Sequence, residues 1–122
     1  MNPDSVLSFL KANCEIRDGK TYNKNTGAHV KAILPVHVFG NMCDMEKIMD
    51  IAEEYNLIVI EDATEALGSY YTEGRYAGKF AGTIGDVGCY SFNGNKIITT
   101  GGGGMLVSNH EDWAQHAKHL ST

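Results

Sequence analysis

Two stretches of this sequence carry residues that could do chemistry. Glu61 and Asp62 close the run LIVIED (57–62), the most apolar segment of the chain. In α/β proteins, ligands sit just beyond the carboxyl ends of such strands. Lys96 stands in SFNGNKIITTGGGGM (91–105), between an approach rich in hydroxyl and amide side chains and the run Gly101 to Gly104. Glycines let a backbone come close to a ligand or take conformations that other residues resist. Each feature also has a plain explanation: Asp62 can cap the turn after its strand, and Lys96 can be an exposed lysine on a flexible hairpin. Together they meet a more specific demand. Pyridoxal phosphate (PLP) chemistry needs a lysine amine to hold the aldehyde as an imine. It also needs a carboxylate that keeps the pyridine nitrogen protonated, so that the ring withdraws electrons. A hydroxyl and backbone N–H groups must bind the phosphate, and Ser91 lies on the approach to Lys96.

A P-loop would place the lysine after its glycines and lead into a helix. Here Lys96 precedes them and is followed by Ile97, Ile98, Thr99 and Thr100, so a P-loop is rejected. A P-loop-like phosphate binder built on Gly101 to Gly104, without that motif's order, stays open as an alternative.

The elements that must position these residues can be read from periodicity. PDSVLSFLKAN predicts a short opening helix with Val6, Leu7, Phe9 and Leu10 on one side, Asn2 as its cap and Pro3 at the tolerated first position. From Cys14 to Val30, polar residues surround the turn signals Asp18-Gly19 and Asn25-Thr26-Gly27, which suggests a small hairpin or exposed excursion. A strand follows over Ala32 to Phe39. An amphipathic helix follows with Met45, Ile48, Met49, Ile51 and Ala52 inward, ending at Asn56. LIVIED then reads as a strand buried on both faces, because its apolar run is continuous. Strand, helix, strand implies a right-handed crossover and parallel pairing. After a glycine-rich passage (68–85), DVGCYSFN (86–93) and Gly104 to Asn109 read as two more strands. HEDWAQHAKHL (110–120) reads as a helix capped by Asn109. Strands interleaved with helices make the fold class α/β.

Composition narrows the field. A chain of 122 residues with 43% hydrophobic and 20% charged residues fits one soluble, folded domain. A net charge of -5 without a Lys/Arg cluster argues against a nucleic-acid partner. No apolar run approaches the roughly 20 residues that span a bilayer, and the N-terminus does not read as a signal peptide, so no membrane partner is expected and the cytoplasm is the expected compartment. Cys14, Cys43 and Cys89 are odd in number and widely spaced, which reads as reduced buried thiols. His116 and His119 could share a helix face as metal ligands do. With His110 they lack a Cys, Asp or Glu to complete a set, so no metal site is expected.

VHVFGN (36–41), EDATEALGS (61–69) and GDVGCYSFNGNKIITTGGGGMLVSN (85–109) follow one another like the core motifs of the DegT/DnrJ/EryC1/StrS sugar aminotransferases. The resemblance runs from about Ala32 to the end of the chain, and MNPDSVLSFL is similar to the segment that precedes these strands in that family. NGNKIITTGGGG (93–104) looks most like the members that aminate UDP-linked 4-keto-6-deoxy-N-acetylhexosamines. The resemblance implies part of a three-layer large domain of the aspartate-aminotransferase type (PLP fold type I), with a mainly parallel sheet and flanking helices. By the same resemblance Asp62 pairs with the pyridinium nitrogen, Glu65 lies near the phenolic oxygen, Ser91 binds phosphate, Asn93 lies nearby, and Lys96 holds PLP. Released from that bond, Lys96 would move a proton between the Cα of an amino donor, usually glutamate, and the C4′ carbon. The acceptor implied is a nucleotide-linked keto-sugar.

Many relatives have His in place of Asn93 and Gln in place of Glu65. Both changes are familiar from the N-acetylhexosamine branch and bear on specificity more than on chemistry. Lys96 argues against the relatives that carry His there and perform dehydration. Family members are considerably longer. Residues 1–122 are therefore expected to be a single partial large domain, without the upstream phosphate turn and ring-stacking aromatic and without the C-terminal small domain. Family sites are completed across a dimer, so homodimerisation is implied. The isolated chain is expected to self-associate through its open apolar edges, hold PLP weakly and be inactive. The competing expectation is a non-catalytic binding or oligomerisation module that has kept the motifs.

Overall fold

The computed structural model describes residues 1–121. Helix α1 (Pro3–Asn13) starts where expected: Asn2 Oδ1 accepts from the N–H groups of Asp4 and Ser5 at 3.0 and 3.4 Å. Leu10 is buried and Val6 and Leu7 are partly covered, whereas Phe9 faces outward, contrary to the expectation that it shares the inner side.

The stretch after α1 is a three-stranded antiparallel sheet of its own, β1 (Cys14–Arg17), β2 (Lys20–Asn23) and β3 (His29–Val30). Asp18 and Gly19 both have positive φ, 49° and 71°, as a two-residue primed hairpin turn requires. The Thr21 hydroxyl donates to the Tyr55 carbonyl and ties this sheet to the end of the next helix.

The main sheet has the order β4 (Ala32–Ile33), β5 (Ile58–Asp62), β6 (Val87–Ser91), β7 (Gly104–Val107). β4–β5 and β5–β6 pair in parallel, while β7 runs antiparallel to β6. Helix α2 (Met45–Glu54) makes the β4 to β5 crossover, with Met45, Ile48, Ile51 and Ala52 buried against Ile33 and Val59. The end of α2 is a Schellman motif. Asn56 takes φ 51°, Asn56 N–H donates to Glu53 O at 3.3 Å, and Leu57 N–H donates to Ala52 O at 2.8 Å.

Three further expectations change in detail. The strand expected over Ala32 to Phe39 is regular only at Ala32–Ile33. Pro35 cannot donate to a ladder, yet Pro35 O accepts from Asp62 N–H at 2.9 Å and His37 N–H donates to Asp62 O at 3.0 Å. The edge thus keeps parallel contact until residues 38–41 turn away in a tight turn with Phe39 and Gly40 at positive φ. LIVIED is not equally buried on its two faces: Val59 and Glu61 are buried, while Ile58, Ile60 and Asp62 are half-buried. Finally, helix α3 (Glu111–Leu120) is preceded by His110 as its N-terminal boundary residue rather than by a capping Asn109. His110 is held from outside the helix, its Nε2 lying 3.0 Å from Asp86 Oδ1 and its ring stacked on Trp113 at 4.4 Å.

α3 lies on the face opposite α2. Its Trp113, Ala117 and Leu120, with Ile60, Cys89 and Leu106 of the sheet, line an apolar cleft of about 520 Å³. Helix, sheet, helix gives the expected three layers. Among the described residues no helix is long and apolar enough to cross a membrane, and no group of three His, Cys, Asp or Glu could hold a metal ion.

Candidate active site

The expected residues gather at the carboxyl ends of the two central parallel strands. Asp62 ends β5 and Ser91 ends β6, with Asp62 in register with Cys89. Two residues further along β6 is about 7 Å, so Ser91 projects just past the end of β5. Asp62 Oδ1 accepts from Thr64 N–H at 3.1 Å, so the plain capping role is also real, and it occupies one carboxylate oxygen. Burial pushes the Cys89 thiol up from its ordinary pKa, and the charge of Asp62 beside it adds to the effect.

Lys96 follows in the loop 92–103. Lys96 N–H donates to Asn93 O at 3.0 Å. Thr100 N–H and the Thr99 hydroxyl both donate to Phe92 O at 3.0 Å, and Phe92 N–H donates to Gly103 O at 2.9 Å. The loop is therefore a closed structure rather than a slack hairpin. The glycine run returns the chain into β7 through a passage too narrow for a side chain, since a Cβ on Gly104 would come within 2.7 Å of Tyr90 O. Lys96 Nζ points back towards the sheet ends, 3.6 Å from Glu65 Oε1, with its side chain 18% exposed. Asn93 N–H donates to Ser91 Oγ at 3.3 Å, which leaves the hydroxyl hydrogen of Ser91 free to donate elsewhere. Asn93 itself is exposed, its Nδ2 donating to Asn95 Oδ1 at 3.3 Å.

A second constellation lies directly behind these residues, and motif reading passed over it. His37 and Glu61 are both fully buried, with Nε2 and Oε2 2.9 Å apart. His37 Nδ1 accepts from Cys43 N–H at 3.1 Å, so Nε2 carries the proton and donates to Glu61. Glu61 Oε2 also accepts from Gly82 N–H at 2.8 Å, and Oε1 accepts from the N–H groups of Ile84 at 2.7 Å and Gly85 at 2.5 Å. Burial alone would push this carboxyl up; His37 and the three backbone donors outweigh it and hold the pKa below its ordinary value. Glu61 thereby fastens the long 63–86 connection against the strand that presents Asp62. One sequence signal pointed here: an acidic residue within an apolar strand must find donors once it is buried.

The DegT/DnrJ/EryC1/StrS aminotransferase family profile matches residues 18–122. The chain belongs to this family. Over 90 residues it is 52% identical to a GDP-perosamine synthase of Caulobacter vibrioides, covering 74% of this chain and 23% of that protein. Over 99 residues it is 46% identical to EpsN of Bacillus subtilis, covering 81% and 24%; the name of EpsN places it among the pyridoxal phosphate-dependent aminotransferases. The crystal structure of a DegT/DnrJ/EryC1/StrS aminotransferase from Brucella abortus superposes with a TM-score of 0.81 at 28% identity, covering 98% of this chain and 29% of that one. The chain thus spans about a quarter of the length of its curated relatives. The α/β architecture and the family membership implied by the motifs both hold.

Proposed function

We propose that this chain is the lysine-bearing part of the large domain of a PLP-dependent aminotransferase. The whole protein would transfer an amino group, with glutamate as the donor the motifs imply, to a nucleotide-linked 4-keto-6-deoxy sugar. The observation that carries the reading is the position of Lys96. A largely covered amine faces the carboxylate of Glu65, three residues past Asp62 at the end of β5, and follows Ser91 at the end of the adjacent parallel strand β6. A half-buried carboxylate, a free hydroxyl hydrogen and a reachable amine are the donor and acceptor types that PLP requires, so the residues fit the group.

When bound, PLP supplies an electron sink for the pair left on the donor's Cα. Asp62 would hold a proton on the pyridine nitrogen, since a carboxylate next to that atom favours its charged form. Ser91 would donate its hydroxyl hydrogen to a phosphate oxygen. Lys96 would bind the aldehyde carbon through Nζ and, once displaced by the incoming amine, take the proton from Cα with the same nitrogen. Glu65 Oε1 would keep that nitrogen near the strand ends. Homodimerisation of the whole protein, with completion of the site by its remaining parts, belongs to the same proposal. Completion of the site by further parts is supported by the relatives' length, since the matched segments cover only 23% and 24% of them.

The test is to incubate the chain with PLP, reduce with borohydride and map the peptides. The pyridoxyl label should sit on Lys96, vanish in Lys96→Ala and persist in Asp62→Asn. A label on any other lysine defeats the assignment. No label at any PLP concentration favours the non-catalytic module.

A further inference from the structure

The residue in the oddest conformation near the site is Phe39. Its backbone lies at φ 52°, ψ 29°, the left-handed region, where a side chain crowds its own carbonyl and glycine is the usual occupant. The ring is 84% exposed, so packing of the side chain does not hold it there. The backbone has another use for this conformation. Phe39 and Gly40, the latter at φ 80°, are the two central residues of a turn closed by Asn41 N–H donating to Val38 O at 2.9 Å. A turn with positive φ at both central positions is the primed type I form. It sits against the 65–69 segment so closely that a Cβ on Gly40 would lie 3.1 Å from Ser69 Oγ. In that setting Phe39 N–H donates to Glu65 Oε2 at 2.9 Å, while Glu65 Oε1 lies 3.6 Å from Lys96 Nζ.

The geometry points to Phe39 as a positioning residue for Lys96, acting through Glu65 by its backbone N–H. This rests on the reading of Lys96 as the reactive lysine. A carboxylate on a flexible stem does not by itself order an ammonium on a longer one. With Oε2 pinned by a left-handed amide, Oε1 is turned to the lysine, and the ammonium gains a fixed partner. Local strain held at a site for such a purpose is a recurrent device. The requirement is for an N–H in this conformation rather than for a phenyl ring, and that sets the test.

The whole chain, without PLP, is treated with a limiting amount of acetic anhydride, and labelling of Lys96 is measured by peptide mass spectrometry against exposed Lys24. Glu65→Gln should raise the Lys96 to Lys24 ratio by up to about fivefold, the range set by a partly exposed ion pair. Phe39→Pro removes the N–H and cannot adopt positive φ, so it should raise the ratio as far. Adding Glu65→Gln to it should raise it no further. Phe39→Gly keeps the N–H and suits the backbone, so it should leave the ratio at its original value. If Phe39→Pro does not fold, Phe39→Val decides: β-branching resists the left-handed region, so the ratio should rise while Phe39→Gly stays level. A rise in Phe39→Gly equal to that in the other Phe39 variants overturns the inference, as does a ratio that moves in Glu65→Gln alone. Because PLP is not used, loss of the pyridoxyl label from Lys96 would count against the proposed function and leave these ratios to decide the role of Phe39.

Discussion

Glu61→Gln should cost the fold about 3 kcal/mol and do so in a pH-dependent way. Glu61 is buried and accepts four hydrogen bonds, two on each oxygen, at 2.5 to 2.9 Å. A glutamine has one oxygen and one NH₂ in their place, so whichever way the amide is turned, two donors face N–H instead of a lone pair. His37 cannot adapt by moving its proton, because its Nδ1 is already accepting from Cys43 N–H. Two buried donors without partners cost about 1–3 kcal/mol each, and part of that is offset because no charge remains to be desolvated. In a domain of this size the net loss lowers the thermal midpoint by roughly 10 °C. The folded-state pKa of Glu61 lies below its ordinary value of 4.5. Its contribution is therefore complete above about pH 4.5 and is lost as pH falls through the folded value. Urea denaturation of both proteins followed by circular dichroism should show a constant gap from pH 6 to 8 that narrows below pH 4.5. Hydrogen exchange should show the amides of Gly82, Ile84 and Gly85 losing protection first. A gap under about 1 kcal/mol, or one that widens on acidification, would refute the reasoning.

Two further substitutions probe the framework that carries the site. Gly88→Ala puts a Cβ 1.9 Å from the Gly82 carbonyl oxygen, backbone against backbone, so β6 and the connection held by Glu61 must separate. A loss of about 3 kcal/mol or more is expected in thermal melts, and a midpoint within about 2 °C of the parent would contradict it. Ile48→Ala empties the centre of the α2 to β5 layer, where Ile48 is buried with Met45 and Val59. It should cost about 2–5 kcal/mol against about 1 for Ile48→Val, and equal losses would show that the site can collapse around the gap.

Much of this protein was determined by local sequence alone. Asn2 and Pro3 start α1, the period of Met45, Ile48, Ile51 and Ala52 turns α2 inward, and Asp18-Gly19 makes its hairpin, because caps, periodicity and turns are settled by neighbours a few residues away. Asp62 and Lys96 stood out as candidates for a different reason, since a carboxylate closing an apolar strand and a lysine ahead of a glycine run are visible without knowing the fold. The tertiary structure decided the rest. Nothing within residues 57–62 shows that Val59 and Glu61 meet a filled layer while Ile60 faces only a cleft beneath α3, because burial depends on what crosses each face. The antiparallel return of β7 was equally hidden, since β-propensity carries no direction. His37 and Glu61 stand 24 positions apart, and Phe39 and Glu65 stand 26 apart. Their bonds exist only because the parallel register sets the β4 edge beside β5. Side-chain type tells which groups can bond, but the register of distant strands selects which of them meet.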